Sequence, residues 1–275
     1  SLIGNARFEE GEERRATADT IRYDERNDKT FLFGDAYYVD GKQEITSPQI
    51  VYDARNETYS TRGRALISDP PQLLEADTVD FNDELGMGIA LGNVLWRDTS
   101  ANLSIRAARA DYDQQADYLK AMGGPYGRPM LITLIDEDSL YLAADTLLAQ
   151  REDTLSTDSS RIFLAYRDVR IFSVDLQGLC DSLTYSSTDS IFRLFRNPIM
   201  WSDTSQFTAD TIHMQMQDGG VVQVHLINNG LIINTEDELF YNQIKGKNII
   251  AYFRDDNLDY MDVIGNAESI YYALD

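Results

Sequence analysis

The residues able to do chemistry are few and lie far apart in the chain. His213 and His225 are the only imidazoles, which is poor material for a histidine-based triad or a zinc centre. His213 reads as an ordinary strand residue. Cys180 is the single thiol, so no internal disulfide can form. It stands where related segments carry a small residue, which favours a structural role over a nucleophilic one. The carboxylate runs Asp136-Glu137-Asp138 and Asp255-Asp256-Asn257 lack the spacing of a calcium loop and fall where turns are expected. With 46 acidic residues, close carboxylate pairs are unavoidable, so a glycosidase pair has no specific support. No enzyme activity, metal or cofactor is expected.

The elements that must carry these residues are strands. Hydrophobic residues make up 43 % of the 275 and aromatics 11 %, with 16 Tyr and 11 Phe, the composition of a folded, strand-rich chain. A formal charge of −22 opposes a phosphate backbone, so nucleic acid is not an expected partner. No run of 18 apolar residues predicts a transmembrane helix, and SLIGNARF lacks the pattern of a signal peptide.

Self-comparison exposes a repeat. ADTIRYD (Ala18 to Asp24) returns as SPQIVYD from Ser47, ADTVDFN from Ala76, AARADYD from Ala107, ADTLLAQ from Ala144, CDSLTYS from Cys180, ADTIHMQ from Ala209 and GKNIIAY from Gly246. The starts are 29, 29, 31, 37, 36, 29 and 37 residues apart. The first position is always small and the third always polar. The fourth is apolar throughout: Ile21, Ile50, Val79, Ala110, Leu147, Leu183, Ile212 and Ile249. The sixth is aromatic or apolar: Tyr23, Tyr52, Phe81, Tyr112, Ala149, Tyr185, Met214 and Ala251. Side chains alternate along a strand, so the fourth and sixth positions share a face and the third lies opposite.

A glycine follows four successive starts by 16 residues: Gly34, Gly63, Gly92 and Gly123. The first three open GDAYYVD, GRALISD and GNVLWRD, runs that read as a second strand ending on Asp40, Asp69 and Asp98. A glycine so placed marks a sharp bend or bulge where a side chain would clash, and none belongs to a phosphate-binding GxGxxG. Half-copies, IGNARF at Ile3 and IGNAESIYY at Ile264, bracket the chain.

Two strands of roughly 8 to 12 residues with their turns fill a unit of about 29. Eight units give an all-β protein of about 16 mostly antiparallel strands. Because large sheets curl or split into two layers, the expected product is an elongated twisted β-jellyroll with apolar columns inside. It is expected as one domain over 1–275, with 1–143 regular and 144–275 longer and less regular. Insertions around 156–160, and the stretch 218–234, are expected in loops or as irregular edges.

The repeated A-D-x-hydrophobic-x-Y-D step joined to G-N/D-A/V turns resembles the OstA-like, or LptA-like, family of lipopolysaccharide transport proteins, which includes the soluble N-terminal domain of LptD. The likeness is best from Ala18 to Gly123 and at NQIKGKNIIAYF and VIGNAESIYY. It implies a β-jellyroll whose interior holds lipopolysaccharide acyl chains and whose ends stack. It further implies a periplasmic or outer-membrane-associated protein that partners other OstA-like jellyrolls, or itself, by end-to-end β pairing, together with outer-membrane assembly components. On that reading the chain is a non-enzymatic carrier or bridge. The candidate lipid-binding inner face is Ile21, Tyr23, Ile50, Tyr52, Val79, Phe81, Leu147, Leu183, Tyr185, Ile212 and Met214. The alternative is a structural module with a filled interior that assembles through exposed β edges. A parallel β-helix acting on polysaccharide would place a catalytic cluster at one repeat position, and there is none. The head-group phosphates would have to lie outside this acidic chain, near Arg14 and Arg15, Arg62 and Arg64, or Lys245 and Lys247, or with divalent cations between.

Overall fold

A computed structural model describes residues 1–272 apart from 12–13, 101, 126, 136–137, 153–159, 203, 218–219, 236–238 and 255–256. The carboxylates of Asp136, Glu137, Asp255 and Asp256, and most of the insertion at 156–160, therefore lie outside the described residues. The strands gather into two compact units, Ser1–Leu131 and Ile132–Asp275.

The first unit begins with β1 (Leu2–Glu10), β2 (Arg14–Asp24), β3 (Lys29–Asp40) and β4 (Gln43–Asp53), joined as antiparallel neighbours. Four short strands follow, β5 (Thr58–Arg62), β6 (Ala65–Asp69), β7 (Gln72–Ala76) and β8 (Thr78–Asn82). Then come the long β9 (Met87–Asp98) and β10 (Leu103–Asp113), then β11 (Tyr118–Met122). The chain passes through β12 (Met130–Ile135) into β13 (Asp138–Ala143), β14 (Thr146–Arg151), β15 (Arg161–Phe172) and β16 (Leu176–Ser186). Next are β17 (Ile191–Phe195), β18 (Ile199–Ser202), β19 (Ser205–Thr208), β20 (Thr211–Gln217) and β21 (Gly220–Asn234). β22 (Asn242–Arg254), β23 (Asn257–Ile264) and β24 (Glu268–Ile270) complete the order. No helix occurs among the described residues.

Each strand, long or broken, serves two half-sheets. The N-terminal part of β4, Glu44 to Thr46, pairs with β6, and its C-terminal part, Gln49 to Asp53, pairs with β5. β9 and β16 divide in the same way, between β7 and β8 and between β18 and β17. Among the described residues twenty-four segments stand where about sixteen were expected because seven strands are interrupted: β5/β6, β7/β8, β11/β12, β13/β14, β17/β18, β19/β20 and β23/β24. Rejoining them leaves seventeen.

The corner is built from consecutive residues in the left-handed region. Gly4 and Asn5, Gly34 and Asp35, and Gly92 and Asn93 form it in the first unit. Arg167 and Asp168, Arg196 and Asn197, Asn228 and Asn229, and Gly265 and Asn266 form it in the second. In β3, two such residues, Gly34 and Asp35, oppose the single Pro48 of β4, and the register shifts there. Similar shifts occur at Gly92 and Asn93, at Arg167 and Asp168, and at Asn228 and Asn229. Such a two-against-one bulge bends the strand and inverts the side-chain alternation beyond it. The bulges of β1 and β3 lie beside residues 18–20 of β2, and there the burial pattern of β2 changes phase. Ala18 and Ile21 are three apart and would face opposite ways on a regular strand, yet both are buried, as are Ala76 and Val79, and Ala144 and Leu147.

The second residue of each repeat plugs the neighbouring corner. A Cβ on Gly63 would meet Cγ of Pro48 at 2.8 Å, and one on Gly124 would meet Cβ of Ala108 at 2.7 Å. Asp145 donates its backbone N–H to the carbonyls of Tyr166 at 3.1 Å and Arg167 at 3.2 Å, and Asp210 donates to Asn228 at 3.0 Å. Asp210 also accepts from Asn229 Nδ2 at 3.0 Å, and Asp181 accepts from Arg196 Nη1 at 3.2 Å.

Candidate functional site

The fourth column of the repeat forms one inner wall in each unit. Ile21, Ile50, Val79 and Ala110 in the first, and Leu147, Leu183, Ile212 and Ile249 in the second, are all no more than 5 % exposed. Burying a side chain the size of Ile or Leu is worth about 1.5–3 kcal/mol relative to leaving it in water. The sixth column divides. Phe81, Ala149, Met214 and Ala251 are buried, and Tyr52, Tyr112 and Tyr185 are half-buried. Tyr23 departs from the inner set: it is 56 % exposed and its hydroxyl donates to Asp28 Oδ1 at 2.8 Å. Tyr185 stacks on Phe192 with ring centroids 4.3 Å apart.

In the first unit the facing wall comes from the glycine-opened strands. Ala36, Ala65 and Val94, two residues beyond Gly34, Gly63 and Gly92, are buried. Two further on come Tyr38, Ile67 and Trp96; Ile67 and Trp96 meet Val79 and Phe81 around a small cavity completed by Tyr59, Leu74, Ala90, Ala110 and Leu119. Tyr38 crosses to the other half-sheet, stacking with Tyr52 at 6.1 Å. Sequence comparison of one strand per unit misses this second wall, although the residues at fixed distances after each glycine carried its signal.

Opposite the corner line, the turn-bearing ends of the two half-sheets meet at a polar seam. On one half-sheet Arg14 donates from Nε to Oδ2 of its register partner Asp40 at 3.0 Å, and the Tyr38 hydroxyl donates to the same oxygen at 3.3 Å; the bonds that cross the seam are made further along. Tyr112 donates to Gln72 Oε1 at 3.3 Å, and Gln114 Nε2 donates to Asp69 Oδ2 at 3.3 Å. Burial, and then the Asp40 charge, push the Tyr38 phenol well above its ordinary range, and burial does the same to Tyr59. The Asp83 carboxyl at this seam is pushed up to about 6, first by desolvation and then by Asp40 and Glu57, with Arg14 opposing. Each residue of the seam is thus a hydroxyl, amide or ion at the edge of an apolar space.

The turns below the seam share one template. In YDERN, Asp24 accepts from Arg26 N at 3.1 Å and Asn27 Nδ2 at 2.8 Å; in YDARN, Asp53 accepts from Arg55 N at 3.2 Å and Asn56 Nδ2 at 2.8 Å. Asp28 and Glu57 close these turns with positive φ. Successive turns are stitched by Ala54 N to Asp28 O at 3.0 Å and Asp83 N to Glu57 O at 2.7 Å.

The interior cavity measures about 40 Å³, against roughly 300–1,000 Å³ for ordinary ligand pockets. With the seam closed it has no room for a long chain. A larger concavity, about 660 Å³, is lined by Ser60, Asp80, Met87 and Arg109 together with Tyr59, Phe81 and Tyr112, which it shares with the interior cavity. The basic residues considered as phosphate contacts are largely engaged. Arg62 pairs with Asp80 at 3.1 Å, Arg64 with Glu75 at 3.0 Å, and Arg15 lies over the Tyr37 ring at 5.6 Å. Cys180 is buried, its thiol pushed up to about 12 by desolvation, the state of an inert core residue. Among the described residues no group of three or more His, Cys, Asp or Glu could hold a metal ion. What the site offers is apolar surface behind a polar edge.

Residues 3–58 match the family model described as LptA/(LptD N-terminal domain) LPS transport protein, the family that the repeat resembles. The match spans β1 to the start of β5 and takes in the first two copies of the repeat. Among solved structures, one match is the crystal structure of LptH, the LptA-homologous periplasmic component of the lipopolysaccharide transport device of Pseudomonas aeruginosa. It is 12 % identical over 55 % of this chain and 80 % of that one, with a TM-score of 0.24. A search of the curated proteins finds no match.

Proposed function

We propose that this chain, whose first strands match the LptA/LptD N-terminal family, is a non-enzymatic component of lipopolysaccharide transport that holds acyl chains between its half-sheets. The observation that carries the reading is the arrangement of the first unit: two apolar walls joined by covalent corners on one side and by side-chain contacts alone on the other. Opening the seam exposes Ile50, Val79, Phe81 and Trp96 to a lipid while leaving the ladder of each half-sheet intact. Tyr38, Tyr52 and Tyr112 then stand where acyl chain meets water, a position suited to an aromatic ring bearing a hydroxyl. Work of this kind belongs in the periplasm or at the outer membrane. Its partners would be other OstA-like jellyrolls or a second copy, paired end to end, and outer-membrane assembly components.

Photo-crosslinking amino acids at Ile50, Phe81 and Leu183, with outward controls at Thr78 and Thr211, test the reading in cells that make lipopolysaccharide. Labelling confined to the inner positions is expected. Equal labelling at both sets, or none at either, rejects it.

The small size of the interior cavity, about 40 Å³, favours a second reading, an assembly module with a filled interior. β1 supplies the means, since among the described residues it pairs with β2 alone and leaves Leu2, Ile3 and Phe8 exposed. Light scattering at high concentration decides: a strict monomer that recruits no β partner excludes this reading.

A further inference from the structure

The chain's two histidines are 12 positions apart in sequence and directly opposite each other in the fold: His213 of β20 and His225 of β21 are register partners. Their ring centroids are 6.4 Å apart with the rings edge to face. The flanking residues Ile212, Met214, Val224 and Leu226 are buried, so alternation places both imidazoles on the outward side of the sheet. Both are half-buried there, and desolvation lowers the pKa of each; for His213 the charges of Arg193 and His225 lower it further. Burial thus favours the neutral imidazole, the form that keeps a nitrogen lone pair.

Directly opposed residues of an antiparallel pair hold their Cβ atoms about 4.5–5.5 Å apart, close enough for two imidazoles to converge on one ion at about 2.0–2.1 Å from each nitrogen. The next rung on the same face is Gln215 opposite Gln223, two amide carbonyls near the pair. Across the sheet the row continues on one side through Arg193 and Thr184 and on the other through Ile250 and Asp262. The cation beside His213 is not aimed at it, because the Arg193 guanidinium is engaged by Asp189.

We propose that His213 and His225 form a two-imidazole site for a divalent transition-metal ion of the Zn(II), Ni(II) or Cu(II) class, completed by water and the Gln215 and Gln223 carbonyls. Nitrogen ligands select these ions over calcium and magnesium, which the carboxylate-rich remainder of the surface would take weakly and without order. Occupation would pin β20 to β21 across the sheet.

The full chain, stripped with chelator, is titrated with Cu(II) and read by electron paramagnetic resonance, and with Zn(II) by calorimetry against a competing chelator. One equivalent bound with the hyperfine pattern of two nitrogens is expected, with affinity at least tenfold weaker in His213→Gln and in His225→Gln. Circular dichroism checks that both variants fold. On the wild-type chain alone, proton NMR of the two imidazole C2–H signals must show both shifting or broadening at one equivalent of metal. Unchanged affinity in either variant, or metal uptake that leaves either imidazole signal unmoved, overturns the site.

Discussion

Asp77 and Gly92 are locked together across a strand corner. Asp77 donates its backbone N–H to the Gly92 carbonyl at 2.9 Å, and its Oδ2 lies 2.5 Å from where a Cβ on Gly92 would stand. The same carboxylate oxygen accepts from Asn93 Nδ2 at 2.8 Å. Gly92 has φ +77, so an alanine there meets both backbone strain and the carboxylate. Gly92→Ala is expected to cost about 1–3 kcal/mol in urea denaturation. Gly41→Ala, at φ +58 with nothing within 4 Å, should cost only the backbone share, about 1 kcal/mol.

Two positions of the repeat, the fourth in β4 and the sixth in β2, respond differently to truncation. Ile50, 1 % exposed, is expected to lose about 2–5 kcal/mol on replacement by alanine. Tyr23→Ala should leave the denaturation midpoint where it is, because that ring is solvated. A midpoint shift for Tyr23→Ala as large as that for Ile50→Ala would contradict the placement of the two residues.

Asp83 gives the seam a pH dependence. An ordinary aspartate titrates near 3.9, and the folded chain raises Asp83 to about 6. The folded state therefore holds that proton more tightly, and the stability it contributes is complete below about pH 4 and lost as pH rises through about 6. Asp83→Asn removes the loss. Thermal melts should show the variant more stable than the wild type at pH 7 and indistinguishable from it near pH 4.

Asp53 behaves in the opposite sense. The hydrogen bond from Lys29, at 3.0 Å in the ion pair, and then that from Asn56 hold its carboxyl below the usual range. That stability is present above about pH 4 and disappears as pH falls through the depressed value. Asp53→Ala should cost about 1–2 kcal/mol at neutral pH, from the turn it organises, and progressively less as the medium is acidified.

Much of the fold was legible because one strand of each unit obeys a strict alternation. The eight apolar residues from Ile21 to Ile249 are all inside. Tyr23 broke the pattern: its hydroxyl reaches Asp28 rather than the interior, although Tyr52, equally placed before its turn aspartate Asp53, is half-buried. The corner was legible where it is made by glycine and obscure where Arg167 and Asp168, Arg196 and Asn197, or Asn228 and Asn229 adopt the same left-handed backbone. That substitution, with longer connections, is why the later repeats look irregular. The second column is aspartate at Asp19, Asp77, Asp145, Asp181 and Asp210 and differs at Pro48, Ala108 and Lys247; carboxylates there bind corner side chains, as Asp77, Asp181 and Asp210 do, but its shared task is geometric. It fills a corner on the next strand, and a carboxylate, a ring or an alkyl stem can each do so. The pairing of His213 with His225 could not be read at all without the register, since the hairpin between them determines which residues meet.

The turn template carries a consequence for descent. YDERN and YDARN share one hydrogen-bonding template, and each is stitched to the turn that follows it. A duplication or loss of one 29-residue unit in this region therefore brings together ends that already fit, with no new contact to invent. Length, in such a chain, is a quantity that evolution can count in whole units.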